Sequence, residues 1–522
     1  MYNPKWLLAC LAIILAINLI FLPSFFGSGD EYSYIRGASL ILKGTFFESD
    51  FFHSMGSKLT QEGFTTNVSM TFPLFLAPLL FFGFSAALSL GLILHLINAI
   101  IFSRILFKLN LDQKFVFLYA FFPSLFWLSR TLYPQTLAIT FLLLGFFTFL
   151  LFHKQKGVFK EEKIQKLITL FLSGLFFGFS VFIRPELVFA AGLFFLVLIV
   201  KQRLFSIPFA LGALIPALLL FLVNLLQFGS ISSTAYGSTS SSFLVRTLLG
   251  ISLPDLVIIA VALSIFYPLL FPAVFIRTKK NPFFFEIIAL VLGSLLIQLN
   301  YANLLDISIN PLSFYFVNLR YLSPAFPFMI IAFAFFAESA IESKVISKFL
   351  SKFKFSYFSK LRVQPEQSIF FLGILFLVAL SFGFSFYHSD FLNDRKEVMQ
   401  QIYSNTPADA LIIGSSDDKM FFPSTLLSER EYIRIDAWND VAGLDKNFDI
   451  KPLLNNNSYI IQLEYSNRVG RDSFRQIYVI NEERKVIADF IEENNASLQL
   501  VYSSDSPHFL DIYKWVGVVY SN

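Results

Sequence analysis

Residues 6–34 read WLLACLAIILAINLIFLPSFFGSGDEYSY: an apolar run over 6–25, a short glycine turn, then the adjacent acids Asp30 and Glu31. A helix needs about 20 apolar residues to cross a bilayer, and this first run reaches that length. Phe25–Phe26–Gly27 makes a poor signal-peptide cleavage site, so the run reads as an uncleaved anchor. The acidic pair sits where the chain leaves the membrane.

Working outward, the same pattern recurs. Ten further apolar stretches fall near 72–103, 115–129, 133–152, 167–183, 187–200, 204–226, 254–276, 283–303, 321–338 and 368–388, giving about eleven spans. The composition agrees. Of 522 residues 56% are hydrophobic, 18% aromatic and only 15% charged, with 69 phenylalanines, against about 25% charged in a soluble domain. Disorder, coiled coil, collagen-like repeats and a disulfide scaffold are excluded, and a polytopic α-helical membrane protein remains. Cys10, the sole cysteine, makes no intramolecular disulfide and no zinc site.

The charges divide along the chain. Residues 1–389 hold 27 Lys+Arg and 15 Asp+Glu, while residues 390–522 hold 13 and 21. With a cytoplasmic N-terminus, the inside segments (Lys5, 104–114, 153–166, 201–203, 277–281 and 339–366) carry 20 basic residues against seven in the outside loops. The positive-inside rule therefore places the loop 26–71 and the tail 389–522 outside. The tail is expected to be a soluble α/β domain, with strands at Ala410–Ile413, Tyr432–Ile435, Tyr459–Leu463, Gln476–Ile480 and Leu498–Tyr502 and a helix at Lys485–Glu493. The domain boundaries are thus 1–388 and 389–522.

Charges at the membrane rim are costly to keep, which makes them candidates for chemistry. Tyr32–Leu42 reads as an amphipathic helix on the outer surface, capped by Gly44, with Asp30 and Glu31 at its start. Neighbours on a helix point about 100° apart, so the two acids do not face one substrate atom as a glycosidase pair does. They suit one general base with an orienting partner, or simply an acidic helix start that complements the dipole. Three arginines fall at outer turns: Arg130 in Ser129–Arg130–Thr131–Leu132–Tyr133–Pro134, Arg184 before Pro185–Glu186, and Arg320 in Asn318–Leu319–Arg320–Tyr321–Leu322–Ser323–Pro324. Their forked guanidinium groups suit a phosphate; snorkelling or pairing, as for Arg184 with Glu186, is the plainer alternative.

One base and one or two cations suffice to move a sugar off a lipid-linked phosphate: the base takes the acceptor proton and the cations stabilise the leaving phosphate. A nucleotide-sugar donor does not fit, since the site faces away from the cytoplasm and Gly27-x-Gly29 is no phosphate fingerprint. The five histidines show no metal-ligand spacing; a divalent metal at Asp30 or Glu31 stays open, and no cofactor is required. Gly174-x-x-x-Gly178 reads as close helix packing.

In this order, the motifs resemble the GT-C superfamily of integral-membrane glycosyltransferases, in particular its protein O-mannosyltransferase, lipid A aminoarabinose transferase and Rgt-like branch. The resemblance covers roughly 1–388. It rests on Asp30–Glu31 with Tyr32 and Tyr34, on Thr71–Phe72–Pro73–Leu74 before the second span, and on the turns of Arg130 and Arg320; Arg320–Tyr321–Leu322–Ser323–Pro324–Ala325–Phe326–Pro327 is the most characteristic. The resemblance implies Asp30 as catalytic base, Glu31 as its supporting neighbour, and Arg130 and Arg320 as donor-phosphate contacts. Phe72–Pro73 stands where relatives carry His-Pro, which leaves the subfamily and acceptor open.

The expected activity is transfer of a monosaccharide from a polyprenyl-phosphate donor to a hydroxyl of an envelope glycan, lipid or protein. The expected location is a bacterial inner membrane with the tail in the periplasm. The rivals are a transporter or flippase of such lipids and a non-catalytic envelope scaffold. Transporters tend to show inverted repeats and midplane charges; here the charges gather at the rim and no repeat is visible.

Overall fold

The computed structural model describes residues 4–25, 27, 29–47, 57–60, 63–66, 68–154, 160–230, 267, 269–296, 318–342, 365–414, 431–434, 458–464, 496–504 and 509–518. The protein is mostly helical and is built as an integral membrane protein. Among the described residues, five helical stretches are long and apolar enough to cross a membrane: 84–108, 134–153, 163–183, 185–228 and 370–405. Shorter apolar helices add to them at Lys5–Ile20 (α1), Thr71–Phe81 (α3), Phe284–Leu296 and Phe326–Glu342. Most of the eighth expected span, 254–276, and the end of the ninth lie outside the described residues.

Two expected spans are broken, each for a local reason. Residues 71–108 form α3, a short α4 (Phe84–Leu88) and α5 (Leu90–Lys108), because Gly83 adopts φ +110° and ends the first run. Residues 115–128 form α6 (Phe115–Ala120) and α7 (Pro123–Leu128): Pro123 has no N–H to continue α6, and Phe122 before it turns extended.

The helices α8 (Pro134–Lys154), α9 (Lys160–Ile183), α10 (Val188–Gln202) and α11 (Ser206–Phe228) run back and forth through the bundle. Their contacts explain the glycine pattern. A Cβ on Gly174 would lie 1.9 Å from the Phe209 carbonyl oxygen, and one on Gly212 would lie 2.1 Å from that of Phe171. In lipid, such close backbone approach replaces the hydrophobic driving force between helices. Phenylalanines fill the remaining space: Phe177 stacks on Phe194, and Phe209 packs tilted against both. Gly174→Ala is therefore expected to force α9 and α11 apart and to destabilise the protein by about 1–3 kcal/mol. The check is thermal unfolding with a thiol-reactive dye, because Cys10 is the sole cysteine and fully buried.

The helix after the first span, α2 (Gly29–Leu42), differs from expectation. Residues 31–40 are all buried, so it does not lie on the surface with one wet face. It is covered by α3: Tyr34 meets the Phe72 ring edge-on at 5.1 Å, and Gly37 allows Pro73 and Met70 close to the backbone. Gly44 follows α2 at φ +75°, as its glycine identity predicts. A hairpin unseen in the sequence pairs β1 (Ser57–Thr60) with β2 (Gly63–Thr66). Buried Gln227, at the end of α11, holds the segment after it by accepting from the Met70 N–H and donating to the Val68 carbonyl.

The last helix, Pro365–Asn405, runs straight through the expected boundary at 388/389. No proline or glycine lies between Gly383 and Pro407, so nothing stops it where the apolar run ends. Beyond it, a five-stranded mixed sheet has the order β4-β3-β5-β7-β6, with β3 Leu411–Gly414, β4 Glu431–Arg434, β5 Ser458–Glu464, β6 Ala496–Ser504 and β7 Phe509–Val518. β3 pairs in parallel with β4 and β5, while β7 pairs antiparallel with β5 and β6. Four of its strands were expected and β7 was not; the expected strand Gln476–Ile480 and helix Lys485–Glu493 lie outside the described residues. Val398 and Ile402 of the long helix share a core with Ile412, Ile461, Leu510 and Ile512 of the sheet.

Candidate active site

The two acids divide their work as their angular separation requires. Glu31 is 2% exposed, and both of its oxygens accept backbone N–H groups: Oε2 from Gly27 at 2.6 Å and Oε1 from Leu132 at 2.8 Å. It thus fastens the loop after α1 to the turn after α7. Both oxygens of the Glu31 carboxylate are thus taken up by the backbone. Asp30 has a half-exposed side chain, and its Oδ2 lies 3.8 Å from Nη2 of Arg320.

Arg320 is itself held in an aromatic cradle. It sits on a short 3₁₀ turn, Asn318–Leu322, ahead of the helix Phe326–Glu342. Nη1 donates to the Tyr133 hydroxyl and Nη2 to that of Tyr321, both at 2.9 Å. The guanidinium carbon lies 4.3 Å from the Tyr133 ring centroid, 4.8 Å from Tyr321 and 5.6 Å from Trp127. Burial works against its charge, but the Tyr133 and Tyr321 oxygens and the Asp30 carboxylate outweigh this and raise its pKa above the ordinary value. The planar cation is thereby fixed beside the open carboxylate.

The other two arginines do different work. Arg130 is 2% exposed and points between α1 and the last helix. Its Nη2 donates to the Phe21 carbonyl at 2.6 Å, its Nε to Nδ1 of His388 at 3.4 Å, and its Nη1 to Asn18 Oδ1 at 3.5 Å. The fork of Arg130 is thus occupied by protein groups. Arg184 forms a buried ion pair with Glu186, the plainer of the two alternatives for it. The structure therefore brings Asp30 together with Arg320, and leaves Arg184 and Arg130 in structural contacts.

The last helix supplies residues that sequence reasoning missed. Arg395 Nη1 donates to the Gly27 carbonyl at 3.4 Å, and Asn393 Oδ1 accepts from the Ser24 hydroxyl at 3.0 Å. The loop carrying Asp30 is thus clamped between that helix and the Arg130 turn. The turn in turn leans on α5, where a Cβ on Gly91 would lie 2.4 Å from the Thr131 carbonyl oxygen. Tyr133 stood in a quoted motif without a role, and Arg395 fell in what read as a separate domain. The uninterrupted helical run past Gly383 was the sign available for Arg395.

A metal finds little here. Among the described residues no three His, Cys, Asp or Glu side chains group into a cation site. Glu31 has given both oxygens to N–H donors, and Asp30 lies against a guanidinium. The Asp30–Glu31 pair does not fit a divalent cation as arranged.

The fold resembles those of solved membrane proteins of very different sequence. The particular likenesses are to two proteins. ArnT from Cupriavidus metallidurans in the apo state is 10% identical with a TM-score of 0.50, covering 97% of each chain. The same protein bound to undecaprenyl phosphate gives 10% and 0.50 over 98% of each chain. The oligosaccharyltransferase of Archaeoglobus fulgidus in the apo form gives 11% and 0.53, covering 99% of this chain and 74% of that one. At such identities the likeness is one of fold. No family model and no curated protein matches the sequence.

Proposed function

We propose that the protein is a membrane glycosyltransferase that moves a monosaccharide from a polyprenyl-phosphate donor to a hydroxyl acceptor. The observation that carries this reading is the open Asp30 carboxylate 3.8 Å from a guanidinium fixed by three aromatic side chains. The basic residues of the expected inside loops support a reading in which that end of the bundle faces outward. The undecaprenyl phosphate bound by the similar ArnT supports the donor class.

In the proposed reaction, the acceptor hydroxyl gives its proton to Asp30 as its oxygen attacks the anomeric carbon. The bond from that carbon to the phosphate oxygen breaks, and polyprenyl phosphate leaves carrying the electron pair. Arg320 neutralises the charge that builds on the leaving phosphate. A single base at the attacking side suits inversion at the anomeric carbon. Glu31 positions Asp30 through the two N–H groups that it holds. No step is routed through a metal.

The test is purified protein in lipid nanodiscs, given a panel of polyprenyl-phosphate sugars with envelope extract, and free polyprenyl phosphate measured by mass spectrometry. Release from at least one donor is expected; a folded protein that releases none from any donor contradicts the reading and favours a lipid transporter or scaffold. With an active donor, Arg320→Gln is expected to lower kcat/KM by about 10–100-fold, the loss of one charge-assisted contact of about 1.5–3 kcal/mol. Arg320→Lys keeps the charge but loses the fork and the ring stacking, so it should recover only part of the loss.

A further inference from the structure

The other end of the bundle carries a second, unassigned feature. From the Tyr133 turn α8 runs away from Asp30, α9 returns, and α10 runs away again, so Lys201 lies at the end opposite the candidate active site. There Lys201 and the segment leading into the helix Phe284–Leu296 enclose a pocket of about 560 Å³, walled by Lys201, Arg277, Thr278, Lys279, Asn281 and Phe285 among others. Two loops far apart in sequence, both basic, thus meet around one hollow.

Its charge is not internally balanced. Lys201 Nζ donates to both oxygens of buried Glu286 at 2.9 Å, which uses that carboxylate. Among the described residues no carboxylate pairs with Arg277 or Lys279, so the wall keeps two positive charges. Arg277 is steadied by the Phe285 ring, 5.8 Å from its guanidinium carbon. Between the two cations, Thr278 Oγ1 is buried without a hydrogen-bond partner. A buried hydroxyl left unpaired is costly, and an acceptor oxygen in the pocket would satisfy it.

The sequence neighbours of the wall residues are apolar and exposed. Phe275 and Ile276, just before Arg277, are 49% and 43% exposed, while Val200 and Leu204, flanking Lys201, are 81% and 79% exposed. A free anion gains nothing from such neighbours. An amphiphile does, with a phosphate beneath and hydrocarbon above, and basic pockets between spans at the cytoplasmic side suit anionic headgroups.

We infer that this pocket binds the phosphate of an anionic glycerophospholipid, held by Arg277, Lys279 and the Thr278 hydroxyl, with its acyl chains against Phe275, Ile276, Val200 and Leu204. The site is remote from Asp30, so it stands or falls apart from the proposed transfer.

The test uses native mass spectrometry of the full chain in detergent, with phosphatidylglycerol, phosphatidylcholine or inorganic phosphate added. Phosphatidylglycerol is expected to be retained on the order of tenfold more strongly than phosphatidylcholine. The double variant Arg277→Gln with Lys279→Gln should lose that preference, and Thr278→Val should weaken it. The charge-keeping pair Arg277→Lys with Lys279→Arg should retain it, which separates lost binding from lost folding. Equal retention of the two lipids, or a preference that survives the Gln variants, overturns the inference. Inorganic phosphate that displaces phosphatidylglycerol at millimolar concentration overturns the lipid as occupant.

Discussion

Glu31→Ala is expected to be among the most destabilising substitutions in the protein, although it touches no substrate. The Glu31 carboxylate accepts the N–H groups of Gly27 and Leu132 in a site it shares with no solvent. Truncation leaves both N–H groups buried and unpaired, at about 1–3 kcal/mol each, and opens a cavity beside them. The expected sum is on the order of 3 kcal/mol or more, read as a melting point lower by several degrees in the Cys10 thiol assay. Glu31→Gln keeps the shape and one acceptor oxygen, so it should fall between the two. Because Gly27 is also held by Arg395, the loop should loosen and not detach; activity should then fall further than stability alone accounts for. A melting point within a degree of the parent would contradict the role given to Glu31.

How much of this was legible beforehand divides along physical lines. The membrane class and most span positions follow from apolar runs, because in lipid every backbone group must be paired within the helix. The acids and Arg320 were legible for the same reason: charges at the rim are costly and stand out. The glycine approach of α9 to α11 was legible as Gly174 and Gly178, though the part of Gly212, which meets Phe171 almost as closely as Gly174 meets Phe209, needed the partner helix. Burial of α2 was not legible. Its own polar residues suggest a wet face, and only α3 folding over it removes that face.

The roles of the arginines were the least legible. Arg130, Arg184 and Arg320 occupy equivalent positions at turns, and one dimension does not say where a long side chain points. Arg184 was distinguishable because its partner, Glu186, is two residues away. The partners of Arg130 are Asn18, Phe21 and His388, more than a hundred residues distant on either side. Arg395 was hidden differently: mean hydropathy falls after 388, although the helix that carries it continues to Asn405.

Asp30→Asn carries the largest expected effect on activity, and it tests the central claim. Asparagine matches the carboxylate in size and can still meet Arg320 across the 3.8 Å gap, but it cannot take a proton. General-base catalysis contributes about 10²–10⁴-fold, so the rate should fall by that order. Stability should hardly change, since the Asp30 side chain is half exposed and buries no hydrogen bond of the kind Glu31 makes. The measurement is the single-turnover rate of polyprenyl phosphate release by parent and Asp30→Asn protein in nanodiscs, with an active donor and acceptor, beside the melting point of each. A rate lower by about 100-fold or more at an unchanged melting point is the predicted result. An Asp30→Asn protein that releases polyprenyl phosphate as fast as the parent would contradict the account, because no base would then stand where it is required.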